Sequence, residues 1–219
     1  MKVYFISGLA ADSRVFKHIK LPDDYQAVYL DWIKPQKNES LQSYSCRMAE
    51  IIENDKPFAI VGLSMGGMIA AEIAKIYQPA ACILLCSVPT HLHFPRHFKW
   101  AYFLRLHKLL PVTLIKTASM LKRGFTADNK EDQLLLKKVI KDSDPVFIRW
   151  AMHAILSWKN ETIPQPLWQI HGSSDGILPI RFTKPTHTIK GGNHLMIMSK
   201  APELNEFLKE ALLSAGIKK

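Results

Sequence analysis

The sequence predicts an α/β architecture: a mostly parallel sheet of about six strands, flanked by helices, with a helical insertion. Three observations predict it. Short apolar strand-like runs alternate with amphipathic helical stretches. A Gly-x-Ser-x-Gly turn sits where a buried strand passes into an alanine-rich helix. Helical patterning then displaces the strands between residues 88 and 163 before they resume.

In chain order, residues 3–7 and 26–32 are short, rich in β-branched and aromatic side chains, and bounded by turn formers. Residues 58–63, 81–87 and 166–171 repeat that pattern, and 187–190 is a shorter strand-like run. Helices are predicted at 40–54, with Leu41, Tyr44, Met48, Ile51 and Ile52 at three- and four-residue spacing, and at 67–77. Parallel neighbours need a right-handed crossover, so this alternation implies helices on both faces of the sheet. Helices over 92–110, 131–141 and 146–158 form the insertion. A last helix over 203–214 follows Pro202, a residue suited to a helix start. The expected organisation is a core of residues 1–87 and 164–219 with a helical cap of residues 88–163.

The 219 residues suit one domain, given that domains run to about 100–200 residues. Hydrophobic residues at 47% and charged residues at 22% exclude the disordered class. No apolar run approaches the roughly 18 residues of a membrane span. The apolar start is interrupted by Ser7, Gly8 and Asp12, which argues for a buried first strand and against a signal peptide. Cys46, Cys82 and Cys86 are odd in number, and two lie in or beside a strand-like run, so no disulfide framework is expected and a cytoplasmic setting follows.

Gly62-Leu63-Ser64-Met65-Gly66 carries the first chemistry. A serine in a tight strand-to-helix turn needs glycine two places either side of it, because side chains there would collide. Ser64 is then exposed above the sheet edge, with the helix amides aimed at the same point. A hydroxyl is a weak nucleophile without a base, and that base needs an acid to fix its tautomer. Asp175 follows the strand at 166–171, on the carboxyl edge where α/β sheets place ligands. His194 follows the pair Gly191-Gly192 after the last strand-like run. Among nine histidines, His91, His93, His97, His107 and His153 fall in the insertion, His187 in a strand, and His171 is expected to anchor the turn around Asp175. Asp142 and Asp144 are acid alternatives within the insertion.

An oxyanion calls for two preorganised donors, each worth about two to three orders of magnitude in rate. The amide of Met65 should be one and that of Leu9 the other, presented by a turn at Gly8. A phosphate-binding loop at 7–12 lacks the Gly-x-x-x-x-Gly-Lys pattern. His91 and His93 lack partners at metal-ligand spacing and no His-Glu-x-x-His occurs, so no metal is expected.

With these residues in place, the chain resembles the α/β-hydrolase superfamily over nearly all of its length outside the insertion. The segments Glu39-Ser40-Leu41-Gln42-Ser43-Tyr44-Ser45 and Asn193-His194-Leu195-Met196, running on to Ser199-Lys200-Ala201-Pro202-Glu203-Leu204, are similar to the branch of plant methyl esterases and hydroxynitrile lyases. The resemblance implies a cofactor-free enzyme using Ser64, His194 and Asp175, and a chain that starts at the family's third strand. There are departures. Ser7 stands where many members carry histidine. Leu195 and Gly8 stand where the lyases have lysine and threonine, which favours ester hydrolysis over cyanohydrin cleavage. Only 18 residues separate Asp175 from His194, so the connecting helix should be shortened or missing.

The net charge of +10 is uneven: residues 88–163 hold thirteen basic and six acidic side chains. Between residues 92 and 125, Arg96, Lys99, Arg105, Lys108, Lys116, Lys122 and Arg123 alternate with aromatic and aliphatic residues, with no Asp or Glu. The leading reading is a cap helix whose apolar face lines an acyl pocket while its charges are solvated. Contact with an anionic membrane surface and recognition of an anionic substrate group compete with it. Nucleic-acid binding ranks last, because no reader motif accompanies the charge. The expected reaction is hydrolysis of a small to medium carboxylic ester or thioester through an acyl-enzyme on Ser64. Carbon–carbon bond hydrolysis, acyl transfer and a non-catalytic ligand-binding protein are the alternatives. Sequence leaves the oligomeric state open.

Overall fold

The computed structural model describes residues 1–104, 111–121 and 129–216. Six strands form one sheet: β1 (Lys2–Ile6), β2 (Gln26–Leu30), β3 (Phe58–Leu63), β4 (Ala81–Leu85), β5 (Leu167–Gly172) and β6 (His187–Ile189). Their order is β2-β1-β3-β4-β5-β6, and every neighbouring pair is parallel. The strand order reverses between β1 and β3, and ligands of open α/β sheets bind beside such a reversal.

Alternation along the strands feeds two cores. Tyr4, Ile6, Ile60 and Leu84 point to one face, covered by α1 (Leu41–Ala49) and α2 (Met65–Tyr77). Val3, Phe5, Val61, Ile83 and Leu85 point to the other, where they meet Leu204, Leu208 and Leu212 of the last helix. β3 and β4 are buried along their whole length, as expected of central parallel strands covered on both sides.

Helix α1 is shorter than the predicted 40–54. Ser40 caps it by accepting from the Ser43 amide, and it ends where Glu50 and Ile52 donate to Arg47 and Ala49 in a tighter turn that buries Ile52. Among the described residues, four helices stand between β4 and β5: α3 (Arg96–Phe103), α4 (Val112–Leu121), α5 (Lys130–Asp142) and α6 (Pro145–Ser157). Of the helix predicted over 92–110, the described residues show Arg96–Phe103, after a 3₁₀ turn at His91–His93. Residues 105–110, 122 and 123, with Arg105, His107, Lys108, Lys122 and Arg123, lie outside the described part. Helix α4 had no counterpart in the sequence reading, since Val112, Thr113 and Ile115 blur a helical signal. Side chains set the starts of α5 and α6: Asn129 accepts from the Asp132 amide, and Asp144 accepts from the Val146 amide ahead of Pro145 at the first turn.

Between Asp175 and β6 the connection is a 3₁₀ turn at Ile180–Phe182 with no α-helix, which is the expected loss of the connecting helix. A four-residue helical turn, α7 (Met196–Ser199), leads into α8 (Ala201–Gly216), where Pro202 occupies the first turn. Among the described residues, no helix is long and apolar enough to cross a membrane.

Candidate active site

The strand-to-helix turn after β3 holds Ser64 at φ 52° and ψ −117°, a conformation costly for any residue with a side chain. Neighbours enforce it. A methyl group on Gly62 would collide with the Gly66 backbone, and one on Gly66 with the carbonyls of Ile6 and Ser7. From β4's end, the buried Ser87 hydroxyl donates to the Ser64 carbonyl at 2.6 Å. Gln169 Nε2 in turn donates to the Ser87 carbonyl at 2.8 Å. The Ser64 side chain does not cap α2, although it stands at the capping position.

Its hydroxyl faces His194 instead, with Oγ 2.9 Å from Nε2. His194 Nδ1 lies 2.8 Å from Asp175 Oδ2. Asp175 is buried, and burial alone would raise its carboxyl. The charge of His194, hydrogen bonds from His171 and His194, and the Leu178 amide outweigh that and hold the carboxyl well below its ordinary range. An ionised carboxylate only accepts, so Nδ1 of His194 carries a proton, and in the neutral imidazole Nε2 is then the nitrogen that accepts from Ser64.

Asp175 is held at both oxygens. Oδ1 accepts from the amides of Ile177 and Leu178 at 2.8 and 2.9 Å. Oδ2 lies 3.2 Å from Nε2 of His171, which also donates to the Leu178 carbonyl at 2.7 Å. His171 therefore anchors the turn as the sequence suggested. It also touches the carboxylate, and its Nδ1 finds no partner among the described residues. Cys86, at φ 45°, donates its thiol to the Asn193 carbonyl at 3.5 Å beside the same pair. Burial, reinforced by the Asp175 charge, pushes that thiol well up, so it stays protonated and inert. Donor atoms of Cys86, Asp175 and His194 lie within 4.8 Å of one another. Of these atoms, His194 Nδ1 and Asp175 Oδ2 stand 2.8 Å apart, at hydrogen-bond separation.

The loop after β1 packs directly on the serine: a methyl on Gly8 would stand 3.3 Å from Ser64 Cβ. The Ala11 amide donates to the Gly8 carbonyl, Ser7 Oγ and Trp32 Nε1 both donate to the Ala11 carbonyl, and Ala10 takes φ 59°. Among the described residues, the amides of Leu9 and Met65 donate to no other group. The Ser7 hydroxyl closes the loop through the Ala11 carbonyl at 3.0 Å.

The other candidates are engaged elsewhere. Asp142 pairs with Arg14 at 3.0 Å and Asp144 caps α6. Nδ1 of His91 meets the Asn160 carbonyl, and Nδ1 of His93 meets Thr90. His97 lines the rim of a cavity of about 380 Å³ that opens over Ser64 and His194. Its walls are almost wholly apolar, with Leu63, Met68, Phe98, Ile148, Met152 and Leu195 among them. Lys116 reaches the wall, but its ammonium donates to the carbonyls of Lys141 and Ser143 at the end of α5. Ser87, Cys86 and Lys116 were not singled out as site residues by the sequence reading. Position just past a central strand was the signal for the first two, and membership of the acid-free basic stretch the signal for the third.

The model of the alpha/beta hydrolase family matches residues 3–207. No curated protein matches the sequence significantly. Among solved structures, MenH from S. aureus superposes with a TM-score of 0.78 at 16% identity, covering 99% of this chain and 94% of that one. A thermophilic esterase from Thermogutta terrifontis gives 0.76 at 16% identity, covering 98% and 90%. A putative non-heme bromoperoxidase, BpoC from Mycobacterium tuberculosis H37Rv, gives 0.71 at 18% identity, covering 98% and 92%. The extent of the family match leads to one conclusion: this chain belongs to the alpha/beta hydrolase family.

Proposed function

We propose that the protein is a serine hydrolase cleaving small to medium carboxylic esters or thioesters with an apolar acyl group, through an acyl-enzyme on Ser64. The observation that carries this reading is the hydrogen-bonded line from Ser64 through His194 to Asp175, opening into an apolar cavity. Residues 1–87 and 164–219 act as the catalytic core and residues 88–163 as the cap over the acyl chain. Phe98, Ile148 and Met152 of that segment wall the cavity.

Ser64 Oγ attacks the ester carbonyl as its proton passes to His194 Nε2. The resulting imidazolium is stabilised by Asp175 through Nδ1–H. Negative charge develops on the carbonyl oxygen, and the unengaged amides of Leu9 and Met65 receive it. His194 returns the proton to the departing alcohol or thiol, leaving Ser64 acylated. Water then enters, loses a proton to the same nitrogen, and releases the acid. Leu195 in place of a lysine beside His194 leaves no cation there for cyanide, which favours ester cleavage. The pinning of Lys116 weighs against an anionic acyl tail. Esterase appears in the names of several structural neighbours, among them the Thermogutta terrifontis protein.

The test is turnover of p-nitrophenyl esters of increasing chain length by the wild type, Ser64→Ala and His194→Ala. Expected is release of p-nitrophenolate by the wild type that falls at least about 10³-fold in both variants. Folded wild type without turnover on any chain length overturns the proposal and favours a ligand-binding role.

A further inference from the structure

Helix α3 has two apolar faces. Phe98 and Ala101 turn inward to the substrate cavity, continuing from the buried Phe94. At 100° per residue, Arg96, Trp100, Phe103 and Leu104 share the opposite arc. There Trp100 is 61% exposed, Phe103 75% and Leu104 54%, and the rings of Trp100 and Phe103 meet edge to face at 6.4 Å. Single exposed apolar residues are ordinary, but two aromatics and a leucine within one helical turn form a patch that calls for a covering partner.

The charge around the patch says which. Arg96 is exposed with no carboxylate partner among the described residues. From residue 92 to 125 the sequence holds seven Lys and Arg and no Asp or Glu. This face offers no carboxylate to the Arg96 of a second copy, which argues against a second copy of this chain as the cover. Aromatic side chains flanked by cations match a lipid–water boundary, where the rings settle at headgroup level and each cation adds attraction to anionic headgroups.

We propose that the outer face of α3 seats this protein on an anionic phospholipid surface. The inner face of the same helix walls the cavity, so seating sets the acyl pocket at the lipid–water boundary. This binding does not depend on the reaction assigned to Ser64, and Ser64→Ala should bind equally well.

The experiment is co-sedimentation of the full chain with vesicles of phosphatidylcholine alone or mixed with phosphatidylglycerol. Expected is partition onto the mixed vesicles only, reversed by added salt as screening shortens the reach of the charges. Trp100→Ser combined with Phe103→Ser should weaken partition by about tenfold, and Arg96→Glu by a similar factor. Both proteins should keep the wild-type melting temperature. The proposal is overturned by any of three results: no partition onto the mixed vesicles, equal partition onto phosphatidylcholine alone, or partition unchanged in the double variant. A dimer in sedimentation velocity that the double variant dissolves would also overturn it, by making a second copy the occupant.

Discussion

Asp175 is the residue on which most of the site's electrostatics converge. Four donors reach its two oxygens, and together they reverse the rise that burial alone would impose. Because its folded value is lowered, its contribution to stability is present in full above the ordinary value of 3.8 and is lost as pH falls through the lower folded value. Asp175→Asn should therefore flatten the acid side of the curve of melting temperature against pH, which thermal scans at descending pH would read. The same substitution should cut kcat by about 10⁴-fold, since an amide no longer enforces the Nδ1–H tautomer of His194. A wild-type-like acid limb in the variant would show that other carboxylates dominate acid unfolding. Ser64, Asp175 and His194 were legible in the sequence because strand ends and glycine turns announce themselves locally. The bracing by Ser87, the thiol of Cys86 and the second contact of His171 were not, because they arise between strands far apart in the chain.

At the scale of elements, a buried polar cluster roots the chain between β4 and β5 on α2. Glu72 of α2 accepts from the Trp158 indole at 2.7 Å and pairs with Lys75. Lys75 also donates to Asn160 Oδ1 at 3.0 Å. Asn160 Nδ2 donates to the carbonyls of Pro89 and Thr162, while its own carbonyl accepts from the His91 amide. One asparagine thus ties the start of the insertion to its end, directly behind the helix that carries Ser64. Asn160→Ala leaves several of these groups buried and unpaired, and should destabilise the fold by about 2 kcal/mol, read as a lower urea midpoint at unchanged slope. Strand positions were predicted to within two residues because alternation and turn formers bound them. Helix limits were less legible: α1 ends in a tertiary packing turn around Ile52, and α4 has no strong period of its own. No sequence pattern pointed to Asn160.

For the whole molecule, the cavity lies between the carboxyl edge of the sheet and the helices that stand between β4 and β5, and under the proposed function its depth sets which acyl chains fit. Met152 of α6 is a half-buried, flexible part of its wall. Met152→Trp should lower kcat/KM for long-chain p-nitrophenyl esters by about tenfold relative to the acetate, because the added ring fills the space the chain would occupy. An unchanged ratio would place the acyl chain elsewhere. The fold as a whole was readable from the alternation of strand and helix, whereas the split of α3 into an inner and an outer apolar face required coordinates. The central claim, that Ser64 is a nucleophile activated by His194 and Asp175, is tested most directly by fluorophosphonate labelling with the modified peptide located by mass spectrometry. The account predicts one adduct on Ser64, lost in Ser64→Ala and strongly slowed in His194→Ala; a folded protein that takes no label, or takes it at another residue, contradicts it.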